Sequence, residues 1–354
     1  MTGQIKKIAA YAVSIALGLF LLYLALQGVE LDALKASIAS ASFIWIVPIV
    51  AAILISHALR AWRWQILLEA LPDRQRKREL SSVPFRSAFL SLIIGYFANL
   101  LIPRIGEFAR SASLSREQGI RFSGVFGTVV VERVVDMAVL VIGIFSLSVL
   151  FYDQFLFIQD RIFSPLVSMA SQIPIAWTAA GLTGFGALGY VAFRTIKTSQ
   201  SDKLLQIRRR LVSILNSFRD GMLTLLKAPR RGALVLSTVL MWFTYTLMAY
   251  LTFVMLDMHT TFELGWDGAW SIMIFGAIGF AVPAPGGTGS FHYITKLALV
   301  NLYFVDETMA VTYAIISHGL HVIVYTVAGV LALFLQGTSL QKLRNANMDK
   351  DTTP

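Results

Sequence analysis

Charged side chains interrupt apolar sequence between positions 95 and 136. They are Arg104, Glu107 and Arg110, which follow Pro103, and Glu132, Arg133 and Asp136, which stand in a valine-rich segment. A lipid bilayer tolerates such groups only where they pair with one another or face a polar cavity. In a membrane, this stretch therefore predicts a buried site of charged residues, and the fold must be one that can enclose it.

The composition indicates a membrane protein. The 354 residues are 56% hydrophobic and 14% charged, with a mean hydropathy of +0.68. Six apolar runs approach or exceed the roughly 20 residues of a transmembrane helix, and they cover 8–26, 43–59, 125–152, 175–193, 232–256 and 309–335. We predict an all-α polytopic membrane protein with six transmembrane helices, the first retained rather than cleaved as a signal peptide.

The basic residues of the chain follow a membrane topology. The formal net charge is +10, and all but four of the 30 Lys and Arg residues fall on one predicted side. The exceptions are Lys35 and Arg161 outside, and Arg133 and Lys296 within the membrane region. Anionic lipid and the positive-inside rule explain this distribution without nucleic acid. We expect a bacterial cytoplasmic (inner) membrane protein with both termini cytoplasmic and no nucleic-acid partner.

Two further apolar runs, 88–102 and 269–282, are too short to cross a hydrocarbon core of about 30 Å. Each is followed by a proline, Pro103 or Pro283, and the charges on its far side resemble those on its near side. A chain that enters the membrane and returns to the same side satisfies both facts. We predict two opposed re-entrant helical hairpins, one from the cytoplasm and one from outside.

The two hairpins indicate an internal repeat. NLLIPRIGE aligns with GFAVPAPGG, which pairs Pro103 with Pro283 and Gly106 with Gly286. We predict inverted half-repeats over about 43–152 and 232–335. They lie in one membrane domain over 1–340, followed by a short cytoplasmic tail over 341–354. Broken helices at corresponding places in inverted halves are typical of a transporter site near the bilayer midplane.

The second break is rich in glycine and has two interpretations. It contains Pro283, Pro285, Gly286, Gly287 and Gly289. Its backbone N–H groups can hold a phosphate at a helix N-terminus, or the glycines can simply allow a tight turn or a close helix contact. Arg104 and Arg110 favour phosphate because guanidinium groups match its geometry. The segment fits no P-loop pattern.

The buried carboxylates leave three alternatives open. Glu132 and Asp136 lie four apart on one helical face. They can balance the hairpin arginines, bind a headgroup amine or a coupling proton together with Glu107, or hold a catalytic metal. Three histidines are further candidates: His318 and His321 can titrate near neutral pH or simply hydrogen-bond across helices, and His292 can contact a headgroup.

Two basic segments are interpreted as interfacial. The second apolar run ends in RAWRW at 60–64, where we expect Arg60 and Arg63 to snorkel beside two tryptophans in preference to contacting a headgroup directly. Between 204 and 225, apolar residues recur at intervals of three or four among basic residues. This spacing predicts an amphipathic helix that lies on the inner leaflet as an anchor.

Three motifs together resemble the transmembrane region of the lysylphosphatidylglycerol synthase and flippase family, also called multiple peptide resistance factor. They are N-x-x-x-P-x-x-G-E-x-x-R at 99–110, E-R-x-x-D at 132–136 and P-x-P-G-G-x-G at 283–289. The resemblance implies transfer of anionic or aminoacylated phospholipids, or of polyprenyl-phosphate-linked lipids, between leaflets. Because the soluble synthase domain of that family has no counterpart after residue 340, the resemblance does not extend to lysyl transfer.

We therefore expect a lipid flippase without cofactor, metal or catalytic residues, whose substrate headgroup lies between the hairpin tips. The candidate substrate-binding residues are Asn99, Pro103, Arg104, Gly106, Glu107, Arg110, Glu132, Arg133, Asp136, Pro283, Pro285, Gly286, Gly287, Gly289, His292, His318 and His321. Two other functions stay open: an integral-membrane enzyme acting on a lipid phosphate, and an accessory subunit of a separate glycosyl- or aminoacyl-transferase. A homo-oligomer is a further possible assembly.

Overall fold

The computed structural model describes residues 2–72, 83–151, 202–228 and 230–351, and every regular element in these ranges is helical. The chain opens with α1 (Thr2–Leu26) and α2 (Leu31–Ala39), whose axes meet at 85°. Gly28 has a φ of 79°, which permits the sharp change of direction between them. The first predicted helix is therefore present, and a short second helix follows it across a bend.

Four helices lie between residues 46 and 150, which we call the first half; the second half covers residues 231–351. They are α3 (Ile46–Glu69), α4 (Phe85–Leu101), α5 (Gly106–Gln118) and α6 (Phe122–Leu150). A single 3-10 turn, Phe43–Trp45, leads into α3. At the end of α5, Gly119 adopts a left-handed φ of 67°, the usual conformation for a residue that terminates a helix and turns the chain.

The second half repeats this order of long, short, short and long helices. Two basic helices, α7 (Asp202–Met222) and α8 (Thr224–Lys227), precede it. The half itself contains α9 (Arg231–Met255), a single-turn α10 (Met258–Thr261), α11 (Trp266–Ala281), α12 (Ser290–Tyr303) and α13 (Glu307–Asp351). A 3-10 turn, Pro285–Gly287, lies between α11 and α12.

Four segments are long and apolar enough to cross a membrane: Phe43–Glu69, Phe122–Leu150, Arg231–Met255 and Glu307–Gly337. A fifth is possible if the bent pair of α1 and α2 counts as one span. These segments establish an all-helical, multi-pass membrane protein. The remaining predicted span, 175–193, lies outside the described residues, so the number six stays a prediction.

The two short helices of each half pack against each other. In the first pair, α4 and α5 approach so closely that a Cβ added at Gly95 would lie 2.8 Å from the carbonyl oxygen of Gly106. The second pair, α11 and α12, packs in the same way across residues 282–289. The long helices α3 and α9, which begin the two halves, also pack extensively on each other. Each half thus contains a helical hairpin, and the halves are joined through α3 and α9.

Helix α7 packs on α6, and its expected location on the inner leaflet stays a prediction. The contact is a crossing of small residues, where a Cβ on Gly127 would lie 2.7 Å from the carbonyl oxygen of Phe218. Gly221 meets the backbone of Gly124 and Gly127 from the other side. Glycine at these positions lets the two backbones approach closely, as in helix pairs within membranes. The part of α7 near its C-terminus is therefore attached to the helical bundle itself.

Candidate functional site

The buried face of α3 carries polar residues. His57, Arg60 and Arg63 follow one another at intervals of three residues and are all buried, so they lie on one side of the helix. The prediction that Arg60 and Arg63 are interface anchors is wrong. Helix α3 continues to Glu69, ten residues beyond the predicted end of the span, and this places both arginines inside the protein.

Glu132 on α6 is fully buried and meets three arginines. Its Oε1 lies 3.2 Å from Arg63 Nη2 and 3.2 Å from Arg60 Nη1, while its Oε2 accepts a hydrogen bond of 3.0 Å from Arg110 Nη1. These contacts join α3, α5 and α6. Of the two hairpin arginines expected near this carboxylate, the structure places Arg110 against it.

Asp136, one turn along α6, completes the pairing. Its Oδ1 accepts a hydrogen bond of 2.6 Å from Arg63 Nη2, and its Oδ2 one of 3.0 Å from Arg60 Nη2. Arg133 projects nearer the surface, where its side chain is 41% exposed and its Nη2 lies 3.2 Å from Glu107 Oε1. The Arg133–Glu107 pair therefore borders the accessible side of an otherwise buried set of charges.

We refer to this set as the arginine cluster: Arg60, Arg63, Arg110, Arg133, Glu107, Glu132 and Asp136. Four arginines face three carboxylates, so the cluster, counted over the described residues, carries one excess positive charge. The Nε groups of all four arginines and Arg110 Nη2 have no hydrogen-bond partner in the part of the chain that the structure describes. Buried donors are normally paired, so these guanidinium groups have fewer acceptors among the described residues than they have donors.

Arg110 is held in place from several directions. Its side chain is only 2% exposed, and its guanidinium carbon lies 5.0 Å from the centre of the Trp64 ring. Trp64 is itself fixed by a hydrogen bond of 2.9 Å from its Nε1 to Thr128 Oγ1. A cation over an indole face is a favourable arrangement. The orientation of Arg110 is thus set by α3 and α6 together.

The two hairpin breaks lie side by side. Arg104 Nη2 donates a hydrogen bond of 2.7 Å to the carbonyl oxygen of Ala281, the last residue of α11. Within the first break, Gly106 N donates to Asn99 Oδ1 at 2.6 Å and closes the turn around Pro103. An arginine at a helix C-terminus pairs with its exposed carbonyls and its dipole. Arg104 therefore links the hairpins, apart from the arginine cluster.

The glycine turn uses its own N–H groups. Gly286, Gly287 and Gly289 have φ angles of 58°, 76° and 83°, which favour glycine. The N–H groups at 287 and 288 donate to the carbonyl oxygens of Ala284 and Pro285 at 3.0 Å each. A Cβ on Gly289 would overlap the carbonyl oxygen of Gly18 on α1. These contacts favour the tight-turn interpretation over phosphate binding at this break, where Pro283 and Pro285 frame the turn.

The three candidate histidines bond to backbone atoms. His292 Nδ1 accepts from the Gly289 N–H at 3.3 Å, and His318 Nε2 lies 2.9 Å from the carbonyl oxygen of Gly286. The rings of His292 and His318 are 4.8 Å apart. His321 Nδ1 lies 2.8 Å from the carbonyl oxygen of Ser317, one turn back on α13. Their observed contacts stabilise the second break and its neighbouring helix.

Sequence analysis missed the contribution of α3 to the site. In the structure, buried residues recur along α3 every three or four positions, from Ile49 and Ile53 through His57 to Leu67. The sequence before residue 60 is apolar on nearly every face, so this stripe is not visible in it. Arg60 and Arg63 fall on that same stripe. A basic residue on the buried stripe of an apolar helix indicates an interior partner rather than a snorkelling anchor.

These features define a multi-pass helical membrane protein with a buried cluster of arginines and carboxylates beside two helical hairpins. Residues 11–329 match the family model described as the lysylphosphatidylglycerol synthase TM region, and the chain belongs to that family. No curated protein and no solved structure matches the chain. Family membership confirms the resemblance inferred from the sequence and relates the protein to membrane lipids.

Proposed function

We propose that the protein moves a phosphate-bearing lipid between membrane leaflets and that the arginine cluster binds the phosphate. The observation that carries the proposal is the excess positive charge of the cluster, together with its unpaired guanidinium donors. A phosphodiester supplies one negative charge and several acceptor oxygens, which complement both features. In a membrane, a lipid headgroup is the source of such a phosphate.

The depth of the cluster supports transport. Glu132 is ten residues into α6, or about 15 Å along the helix. This distance is about half of a hydrocarbon core of roughly 30 Å. A phosphate there would lie midway between the leaflets, reached past the partly exposed Arg133–Glu107 pair. This is the depth at which a carrier alternates between the two sides.

The proposal includes the finer membrane arrangement. It comprises six spans, two opposed re-entrant hairpins in inverted halves, a bacterial cytoplasmic membrane and two cytoplasmic termini. The packing of α4 on α5 and of α11 on α12, together with the bond from Arg104 to Ala281, supports paired hairpins. Cysteines at Arg116 and Glu263 should react with impermeant reagents from opposite sides. Labelling of both from one side would contradict this arrangement.

The alternative of a metal-dependent enzyme receives less support. A catalytic Mg²⁺ would need carboxylates that are free to coordinate it, whereas Glu132 and Asp136 each accept hydrogen bonds from arginines. Within the described ranges, no three His, Asp or Glu side chains converge as a ligand set. The experiment below also tests whether the protein depends on a separate transferase.

The test is lipid exchange by purified protein in liposomes that contain acyl-labelled phosphatidylglycerol. We expect wild-type protein to expose inner-leaflet label to an external quencher, and Arg110→Gln to abolish this exchange. Arg230→Gln is the matched control, because Arg230 pairs with Glu69 away from the cluster and is half exposed. Equal exchange by both variants would contradict phosphate binding by the cluster. Metal-dependent product formation would indicate an enzyme, and inactivity that an added transferase relieves would indicate an accessory subunit.

A further inference from the structure

Beside the arginine cluster lies a buried histidine whose ring nitrogens form no hydrogen bond with the described residues. His57 is 2% exposed, and neither of its ring nitrogens has a hydrogen-bond partner among the described residues. It stands one turn of α3 from Arg60 on the same buried face. Buried imidazole nitrogens are normally paired with protein, water or a ligand. The contrast with His292, His318 and His321, which all bond to backbone atoms, indicates that His57 faces a ligand.

Tyrosines surround this histidine on two sides. The ring of His57 lies 4.5 Å from that of Tyr96 on α4 and 5.2 Å from that of Tyr325 on α13. The two tyrosine rings are stacked at 4.9 Å. Tyr245 on α9 accepts a hydrogen bond of 3.1 Å from Arg60 Nη2, which connects the aromatic group to the cluster. We call the three contacting rings of His57, Tyr96 and Tyr325, together with Tyr245 on the far side of Arg60, the aromatic box.

The chemistry of the box selects among headgroups. A neutral imidazole offers one donor and one acceptor, and each phenol hydroxyl offers both, so the box matches hydroxyl groups. Aromatic faces also bind ammonium groups. Here, however, Arg60 lies against the box and donates a hydrogen bond to Tyr245, so an ammonium group bound there would lie beside a guanidinium and be repelled by it. An uncharged group with several hydroxyls fits best.

We propose that the aromatic box binds a polyol or sugar esterified to the lipid phosphate, and that the transported lipid is anionic with an uncharged hydroxylated headgroup. This inference rests on the proposed function, since the arginine cluster holds the phosphate to which the polyol is attached. The same chemistry occurs in glycerophospholipids with a polyol headgroup and in polyprenyl-phosphate sugars. Both sources are included as probes.

The experiment measures how purified protein in detergent ranks phosphatidylglycerol, a polyprenyl-phosphate sugar, phosphatidic acid and phosphatidylethanolamine in competition for binding. We expect one of the hydroxylated lipids to bind about tenfold more tightly than phosphatidic acid, the difference that one to two buried hydrogen bonds produce. The hydroxylated lipid that ranks first identifies the source. Phosphatidylethanolamine should rank last. A first rank for phosphatidylethanolamine, or equal binding of both hydroxylated lipids and phosphatidic acid, would overturn the inference.

Variants at His57 locate the effect. His57→Phe should remove most of the tenfold preference, and His57→Gln, which keeps a donor and an acceptor, should retain part of it. His259→Phe is the matched control, because His259 lies beside Asp257 on a connecting segment and is partly exposed. An unchanged preference in folded His57→Phe would also overturn the inference. If wild-type protein binds none of the anionic lipids, the proposed function itself fails, and the two failures are thereby distinguished.

Discussion

The two broken hairpins are closed by different chemistry. At the first break, Asn99 accepts from the Gly106 N–H, and the two helices beyond it carry the arginine cluster together with α3. At the second break, three glycines at positive φ form the turn, and His292 and His318 contact its backbone. The first break therefore lies beside charged residues, whereas the second is built from glycines and contacted by histidines.

The two regions also differ in how completely their polar groups are paired. The second hairpin pairs its N–H groups and histidines internally, and it docks through Gly289 on Gly18 of α1. The arginine cluster, in contrast, leaves guanidinium donors unpaired within the described residues. Unpaired buried donors are unfavourable without a ligand, so this difference supports the proposal that phosphate binds in the first half and that the second half is structural support.

We expect substitutions in the arginine cluster to have the largest effects on stability and on lipid exchange. Glu132→Gln leaves Arg60, Arg63 and Arg110 with less compensation, and we expect a loss of about 3–5 kcal/mol of stability. Arg110→Gln should cost less, because it removes the excess positive charge, yet it should abolish lipid exchange. Thermal unfolding in detergent and liposome exchange on the same preparations measure both properties.

The double variant Glu132→Gln with Arg110→Gln separates pairing from binding. We expect it to recover much of the stability that Glu132→Gln loses, because it removes both members of a buried pair. Exchange should remain absent, since Arg110 is missing. Full exchange by the double variant would show that neither residue contacts the substrate.

The second hairpin should respond in stability without a change in lipid preference. Gly289→Ala combines a disfavoured positive φ with an overlap against Gly18 on α1, and we expect a loss of about 2–4 kcal/mol. Gly319→Ala is the control, because a Cβ there meets no described atom within 4 Å. Exchange per folded molecule should survive in Gly289→Ala. A selective loss of one lipid would instead place this turn in the binding site.

The helix breaks could be predicted from sequence because their signals are local. Pro103 and Pro283 each follow an apolar run that is too short to span, and α4 and α11 end at Leu101 and Ala281. The contribution of Arg60 was missed because the apolar run ends at 59 and the buried stripe of α3 continues past it.

Other contacts are not encoded locally. The approach of Gly289 to Gly18 joins residues far apart in sequence, and nothing near either glycine specifies the other. The aromatic box likewise combines four helices, with one residue each from α3, α4, α9 and α13. Such groupings depend on the tertiary packing of the halves, which the order of apolar runs alone does not determine.

His318 tests the structural role of the second break. His318→Phe keeps a ring of similar size but leaves the carbonyl oxygen of Gly286 without its 2.9 Å partner, and we expect a loss of about 1–3 kcal/mol. His318→Gln can restore a donor and should recover part of the stability. Thermal unfolding distinguishes the two, and exchange per folded molecule should be similar in both. A large fall in exchange at unchanged stability would make His318 a substrate contact.

Substitution of Arg104 should have the smallest effect on stability, and its comparison with Arg110→Gln tests where the phosphate binds. Its side chain bonds to the Ala281 carbonyl, and the residue is exposed. Arg104→Met should therefore cost only about 0.3–1 kcal/mol, the usual range for a cation at a helix C-terminus, and exchange should stay near wild type. Arg110→Gln is the matched change on the same hairpin. If both variants abolish exchange equally, the phosphate-binding site lies at the hairpin tips and includes Arg104. If only Arg110→Gln does so, the phosphate is held deeper, by the cluster that α3, α5 and α6 enclose.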